Sequence, residues 1–315
     1  MNSGGALRFA LIVPTLNAGE AWPAWLSAVA QQSRAPDTVL VVDSSSTDDT
    51  AVLASQAGFD VAVIDRAGFD HGGTRQRAFD RVRDAVDVAA FLTQDAELAD
   101  STALAALMAA FDDPGVGCAY GRQLARPSHT AIARHHRTYN YPDEPARVDA
   151  SDLERQGLRA AFCSNSFAAY RSTALSAAGG FPESVVFGED MLAALRILRA
   201  GYAKCYVPAA CVWHAHDYTP LQEYKRYFDM GVMHAAETEL HSLRGGAGAS
   251  GRAFVRSEIR AVAGSNPLTA FALVCRNGLR YLGYRIGLRA QRLPAFVKRA
   301  MTMNKAYFTT GAERR

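Results

Sequence analysis

Residues 9–49 read FALIVPTLNAGEAWPAWLSAVAQQSRAPDTVLVVDSSSTDD. An apolar run, FALIVP, ends in small polar residues. A helical stretch follows, and a second apolar run, TVLVVD, ends in serines and acids. This pattern reads as strand, turn, helix, strand, acid-rich turn. In open α/β sheets, ligands bind just beyond the carboxyl ends of the strands. Here that edge carries Thr15, Asn17, Asp43, Ser44, Ser45 and Ser46, with Pro14 beside them. Such a set suits a ribose, a base edge and a metal-bound diphosphate. The stretch lacks both the GxGxxG of a dinucleotide site and the GxxxxGK[ST] of a P-loop.

The alternation continues outward. Short runs rich in Val, Ile, Leu and Phe at 61–65, 88–93 and 116–122 read as buried parallel strands. Helical stretches at 48–57, 73–86 and 101–111 separate them, which predicts a doubly wound, mostly parallel sheet flanked by helices. From 128 to 158 the sequence turns polar, His-rich and Pro-containing, and reads as a mobile lid or acceptor loop. Order returns with a strand at 162–170, helices at 172–178 and 189–200, a short strand at 204–207 and a long amphipathic helix at 220–243. Residues 244–252, RGGAGASGR, read as a flexible break before a basic helical region, 253–315. The expected organisation is one domain over 1–243, with a donor half to about 125 and an acceptor half beyond it, plus that helical C-terminal extension.

Hydrophobic residues make up 49% of the 315 and charged residues 21%, which places the chain among globular proteins. Five scattered cysteines without a CxxC argue against a disulfide framework or a metal cluster and fit a reducing compartment. The N-terminal segment reads as a first strand, not a secretory signal. The absence of an 18-residue apolar window argues against a spanning helix. Residues 252–315 hold 13 Lys and Arg against two Asp and Glu, in a chain whose net charge is only +3. Such a tail suits anionic head groups or an anionic lipid-linked acceptor. No nucleic-acid motif is visible, and no nucleic-acid partner is expected. Within the tail, Leu268, Phe271, Cys275, Leu279 and Leu282 form a stripe, with Arg276 and Arg280 to one side and Arg285, Arg289 and Arg292 opposite. Two helices broken near Gly283 or Gly287 would reconcile these positions, packed on the core or lying on a membrane surface. The expected location is cytoplasmic, peripheral on the inner membrane, and a homo-oligomer is compatible with the sequence.

Several short motifs carry chemistry. TQDAE (93–97) puts Thr93, Gln94, Asp95 and Glu97 at the end of a strand, where Mg²⁺ or Mn²⁺ would bridge carboxylates and a diphosphate. GFDHGGTRQRAF (68–79) puts Gly73 and Arg75 at a helix start, an anion site in the making. Gly188, Glu189 and Asp190 open another helix, where one carboxylate can act as general base and its neighbour can position it or raise its pKa. His214 and His216 stand two apart, so both share one face of an extended segment, and either is a candidate third metal ligand. Ser164 and Asn165 are candidates to orient acceptor hydroxyls. Each motif also has a structural reading, such as a helix-dipole acid pair or a plain turn. No Ser/His/Asp or Cys/His nucleophile arrangement is present.

Taken in order and spacing, VPTLN, VDSSSTDDT, GGTRQRA, TQDAE, GGFPE and GED resemble the inverting family 2 glycosyltransferases of GT-A fold, over roughly residues 7–230. DHGGTRQ, TQDAE and HAHDYTPLQEYKRYFDMG are most similar to the bacterial rhamnosyltransferase branch, which builds O-antigen and lipopolysaccharide. The resemblance implies a nucleotide-sugar donor, with dTDP-rhamnose first, and a saccharide or lipid-linked acceptor. It implies Asp43, helped by Thr15 and Asn17, at the base or ribose, Arg75 on the nucleotide side, Asp95 as metal ligand and Asp190 as base. Thr93 stands where the family carries the first acid of its DxD. The alternatives are another UDP- or GDP-sugar donor, a sugar nucleotidyltransferase or a non-catalytic membrane scaffold. VPTLNAGE has no basic residue in the loop where a nucleotidyltransferase carries one.

Overall fold

The computed structural model describes residues 6–241, 243, 247–264 and 266–309. Among the described residues, nine strands form one sheet: β1 (Phe9–Thr15), β2 (Thr38–Asp43), β3 (Asp60–Val63), β4 (Val88–Leu92), β5 (Glu97–Leu98), β6 (Val116–Leu124), β7 (Ala146–Val148), β8 (Phe167–Arg171) and β9 (Ala203–Trp213). Their order is β3-β2-β1-β4-β8-β6-β9-β5, with β7 paired to β9. The β3-β2-β1-β4 half is parallel, as the buried apolar runs predict. The other half is mixed. β8 runs antiparallel to both β4 and β6, while β6 and β9 are parallel.

Alternation along the strands assigns side chains to two layers. Phe9, Leu11 and Val13 of β1 pack with Trp22, Trp25 and Val29 of α1 (Trp22–Ala30), Ala54 of α2 (Thr50–Gln56) and, further on, Leu104 and Leu107. Ala10 and Ile12 point the other way, toward Ala78 and Phe79 of α3 (His71–Val82). Leu104 and Leu107 belong to α4 (Ala103–Ala109).

The stretch 128–158 is not one long loop. It contains α5 (Ala131–Asn140), β7 and α6 (Asp152–Gln156), followed by α7 (Leu158–Ala161). Thr130 caps α5, and Asp217 in turn accepts the Thr130 amide and hydroxyl at 3.0 and 2.6 Å. Further along lie α8 (Ser172–Ala177) and α9 (Glu189–Arg199). The strand expected at 204–207 runs on to Trp213, because a register shift between Gly121 and Arg122 of β6 absorbs the segment around Pro208.

A capping box between Thr219 and Gln222 starts α10 (Pro220–Ala236), which is followed by α11 (Thr238–His241). The flexible break expected at 244–252 lies outside the described residues at 244–246. From Ala247 onward it is helix, α12 (Ala247–Glu258). No kink occurs at Gly283, since α13 runs unbroken from Pro267 to Gly287, and α14 covers Ala295–Met301. The break falls at Gly287, the second of the two expected positions, and both glycines also serve close packing. A Cβ on Gly283 would lie 2.4 Å from the Tyr224 carbonyl oxygen, and one on Gly287 would lie 2.1 Å from that of Phe228, so α13 meets α10 backbone to backbone. Gly287→Val is therefore expected to destabilise the fold by at least about 1–3 kcal/mol through overpacking. Gly278→Ala, with open space around it, should not. Thermal melts of the two variants check this.

Candidate active site

The carboxyl ends of β1, β2, β4, β6 and β9 share one edge of the sheet, and antiparallel β8 contributes its amino end there. That one reversal brings Ser164 and Asn165 to the same edge as Asp95.

Beyond β1 and β2, Thr15 and Asp43 are buried, and the Thr15 hydroxyl donates to Asp43 at 3.0 Å. Asp43 also accepts the Ser46 amide and hydroxyl at 2.8 and 2.5 Å. Asn17 and Ser45 hold left-handed conformations, φ 47° and 58°. The Asn17 side chain accepts the Thr47 amide at 2.8 Å. These bonds lock two loops into a cradle with Pro14 at its rim. Ser44 Oγ, at the end of β2, is buried without a hydrogen-bond partner among the described residues, as suits a crevice that takes a polar ligand, and Thr93, at the end of β4, faces Asp95. Gln94 bonds the Leu16 amide and carbonyl at 2.7 and 3.1 Å, so it ties β1's loop to β4's.

Asp95, His214 and His216 converge. Their ligating atoms lie within 4.8 Å of one another, and the two Nε2 atoms are 3.4 and 3.5 Å from Asp95 Oδ2. Behind them, His214 Nδ1 lies 2.9 Å from Gln123 Oε1, a contact that fixes the ring with Nε2 toward the carboxylate. His216 stacks on Tyr218, ring centroids 5.0 Å apart. Burial, then neighbouring His214, pushes His216 down to about 4, which keeps it neutral and able to ligate. Burial would raise Asp95, but hydrogen bonding from His214 first, and then from Thr93, holds it well below the usual carboxylate range. One carboxylate and two imidazoles form a donor set that fits a divalent transition ion such as Mn²⁺ better than Mg²⁺, which prefers oxygen alone. Glu97, expected to assist, is elsewhere: it accepts Arg126 at 2.6 Å and stands outside the trio.

The acid pair at the start of α9 is differentiated by its surroundings. Glu189 is buried and pairs with Arg75 at 3.2 Å. Burial opposes its charge, but Arg75 and then His71 hold its pKa below the ordinary value. Asp190 is less buried and accepts the amides of Asn165 and Met191 at 3.0 and 2.8 Å. Burial, then the charge of Glu189, pushes Asp190 up to about 7. Asn165 serves both acids, since its side chain donates to Glu189 at 3.2 Å and is itself fixed by the Tyr170 hydroxyl at 2.8 Å. Gly188 supplies the left-handed turn, φ 85°, that starts the helix.

Two expected roles change. Arg75 is buried against Glu189 and the His71 carbonyl and does not face a diphosphate. The Gly73 amide donates to Asp70 at 2.6 Å, so Asp70, not a ligand, caps α3. Ser164 accepts Gln123 Nε2 at 2.9 Å, which makes Gln123–Ser164–Asn165 a bridge from the histidine trio to the acid pair. Sequence reading missed Gln123, Arg137 and Arg226. The Arg226 guanidinium lies over Tyr218 and Phe187, and Arg137 lies over Tyr141. Both influence the trio, Arg137 through Asp95 and Arg226 through His216, and neither has a carboxylate partner among the described residues. Their only sequence signal was their presence in segments read as lid and amphipathic helix.

The glycosyl transferase family 2 description matches residues 10–179. The O-antigen chain rhamnosyltransferases RfbN of Salmonella typhimurium and WbaN of Salmonella anatum are 41% and 40% identical, over 96% and 95% of this chain and equal shares of theirs. In fold the chain is similar to the mannosyltransferase PcManGT of Pyrobaculum calidifontis, solved with GDP-Man and Mn²⁺, with TM-score 0.54, 19% identity, and coverage of 98% of this chain and 86% of that one. It is also similar to S. aureus TarS 1–349 with UDP-GlcNAc, with TM-score 0.51, 16% identity, and coverage of 91% and 92%. The chain is a GT-A-fold glycosyltransferase and belongs to glycosyl transferase family 2.

Proposed function

We propose that this chain transfers rhamnose from dTDP-rhamnose, with inversion, onto a saccharide or lipid-linked acceptor in bacterial O-antigen synthesis. The reaction would take place at the cytoplasmic face of the inner membrane. The observation that carries the reading is the pairing, along one sheet edge, of a cation-binding trio with a partly open carboxylate whose pKa is raised to about 7. The choice of sugar rests on the two rhamnosyltransferase relatives, similar over nearly their whole length.

In this mechanism the nucleoside lies over the Thr15–Asp43 cradle, with Pro14, Asn17, Ser45, Thr93 and Gln94 around it. Asp95, His214 and His216 would hold a divalent cation, Mn²⁺ by their donor set, which would supply charge neutralisation to the diphosphate. Arg226 and Arg137 add positive charge beside it. Asp190 takes the proton of an acceptor hydroxyl. The acceptor oxygen bonds to the anomeric carbon as the bond to the diphosphate breaks, and the nucleoside diphosphate leaves with that electron pair. Attack opposite the leaving group inverts the anomeric configuration. Glu189 and Asn165 position the base, Arg75 holds Glu189, and Ser164 and Gly188 border the acceptor side.

A calorimetric titration with dTDP-rhamnose, UDP-sugars and GDP-sugars, with and without Mn²⁺ or Mg²⁺, tests the proposal. The expected result is metal-dependent binding of dTDP-rhamnose above the others. Preference for a UDP- or GDP-sugar would replace the donor, and binding of none would overturn the reading.

A further inference from the structure

Helix α13 is turned inside out relative to a helix on a water-facing surface, which hides its apolar stripe and shows its charges. Two of its three arginines point inward. Arg280, only 2% exposed, bonds Glu223 and Glu258 at 2.6 and 3.0 Å, and Arg276 bonds Glu223 at 2.5 Å. Five of its apolar residues point outward: Leu268, Phe271, Val274, Leu279 and Leu282 are 79, 69, 52, 43 and 49% exposed. No exposed position from Phe271 to Leu282 carries a charge, and no described residue covers this face. A contiguous apolar face of this kind on a folded chain marks an interaction surface.

Charge identifies the partner. From residue 259 to 312 the sequence holds nine Lys and Arg and no Asp or Glu. With Arg276 and Arg280 neutralised inside, Arg285, Arg289, Arg292 and Arg299 remain exposed without a carboxylate partner among the described residues. An apolar face next to unpaired arginines is complementary to an anionic bilayer, where leucine and phenylalanine enter the acyl boundary and arginines meet head groups. A second copy meeting this face would bring two acid-free basic surfaces together. No described helix is long and apolar enough to cross a membrane, so α13 would lie in the interface plane.

We propose that the outer face of α13 docks this glycosyltransferase on anionic lipid and sets the orientation of its cleft. The link to the cleft is short. Arg276 donates to the Tyr218 carbonyl at 2.5 Å, Tyr218 stacks on His216, and the glycine contacts clamp α13 to α10. A lipid-linked acceptor would thus meet a cleft already held at a fixed attitude to the bilayer. The docking face stands independently of which sugar is transferred.

The test is co-sedimentation of the full chain with phosphatidylcholine vesicles, with and without phosphatidylglycerol. Binding is expected only with phosphatidylglycerol and should weaken as salt rises. Phe271→Glu/Leu282→Glu and, separately, Arg285→Glu/Arg289→Glu should each lower the bound fraction by about tenfold or more. Melting temperature and nucleotide binding should stay unchanged, which separates this proposal from the sugar-transfer reading. If the glutamates disturb folding, Phe271→Ser and Leu282→Ser singly give the same readout. Failure of the wild type to sediment with phosphatidylglycerol, or equal binding by the folded variants, overturns the proposal. So does a dimer in sedimentation equilibrium that the Phe271 and Leu282 variants dissociate, which would assign the face to a second copy.

Discussion

Asp190→Asn is expected to lower kcat by about 10²–10⁴-fold, the usual contribution of a positioned base, while leaving donor affinity near that of the wild type. The asparagine keeps an oxygen for the Asn165 or Met191 amide but cannot take a proton. The pH profile should identify the same group. Asp190 is pushed up to about 7 by burial and by Glu189, so wild-type kcat/KM should fall as the pH drops below about 7 and the base becomes protonated. Stability should move the opposite way. The folded pKa lies above the ordinary 3.8, so the folded chain holds this proton more tightly than the unfolded one. That stabilisation is complete below the unfolded value and is lost as pH rises through the folded one. At pH 8 Asp190 is a charge beside anionic Glu189, and Asp190→Asn removes the repulsion. The variant should therefore melt higher than wild type at pH 8 and show less difference at pH 5. Near-normal turnover in a folded Asp190→Asn would remove the base assignment. Glu189→Gln probes a positioning role instead, since it leaves buried Arg75 without its partner.

Strands β2, β1 and β4 of the parallel half were legible because they are buried on both faces and show it as unbroken apolar runs. Val88–Leu92 and Thr38–Asp43 need no knowledge of their neighbours to be recognised. Strand direction was not legible: Phe167–Arg171 is equally apolar whether it runs up or down, and only tertiary pairing reverses it. The motif acids Asp95, Glu189 and Asp190 were placed at the correct edge. Their partners were harder, because a partner is a matter of distance across the fold. Arg75 was read as a ligand-facing cation from its helix-start position, yet it packs against Glu189, 114 residues on. Gln123, at the end of β6, carries no local signature and acquires a role only when His214 arrives beside it. Of the two positions read as a break, Gly287 does end α13, whereas the helix runs straight through Gly283, because sequence cannot distinguish a glycine that bends a helix from one that admits a neighbouring backbone. The polar stretch 128–158 hid α5 because that helix packs largely through His135, His136 and Tyr139 against Phe254, not through an aliphatic stripe.

Replacing members of the trio should produce a graded loss of cation binding that follows the geometry. Asp95→Ala and His214→Ala each remove a converging ligand, and each is expected to weaken Mn²⁺ affinity by at least about 100-fold, beyond the 10–100-fold usual for an outer partner. Gln123→Ala should fall within that outer range, because it frees His214 to turn and leaves Ser164 without its donor, but removes no ligand. Glu97→Gln is the control. Its carboxylate pairs with Arg126 outside the trio, so its loss should leave Mn²⁺ affinity near wild type. Manganese binding followed by electron paramagnetic resonance reads all four without requiring turnover. An equal loss in Glu97→Gln and Asp95→Ala would place the cation along the TQDAE loop instead of between Asp95 and the histidines. Full affinity in His214→Ala would reduce the histidines to a neutral wall around a carboxylate site, and the preference for Mn²⁺ over Mg²⁺ argued from two imidazoles would fall with it.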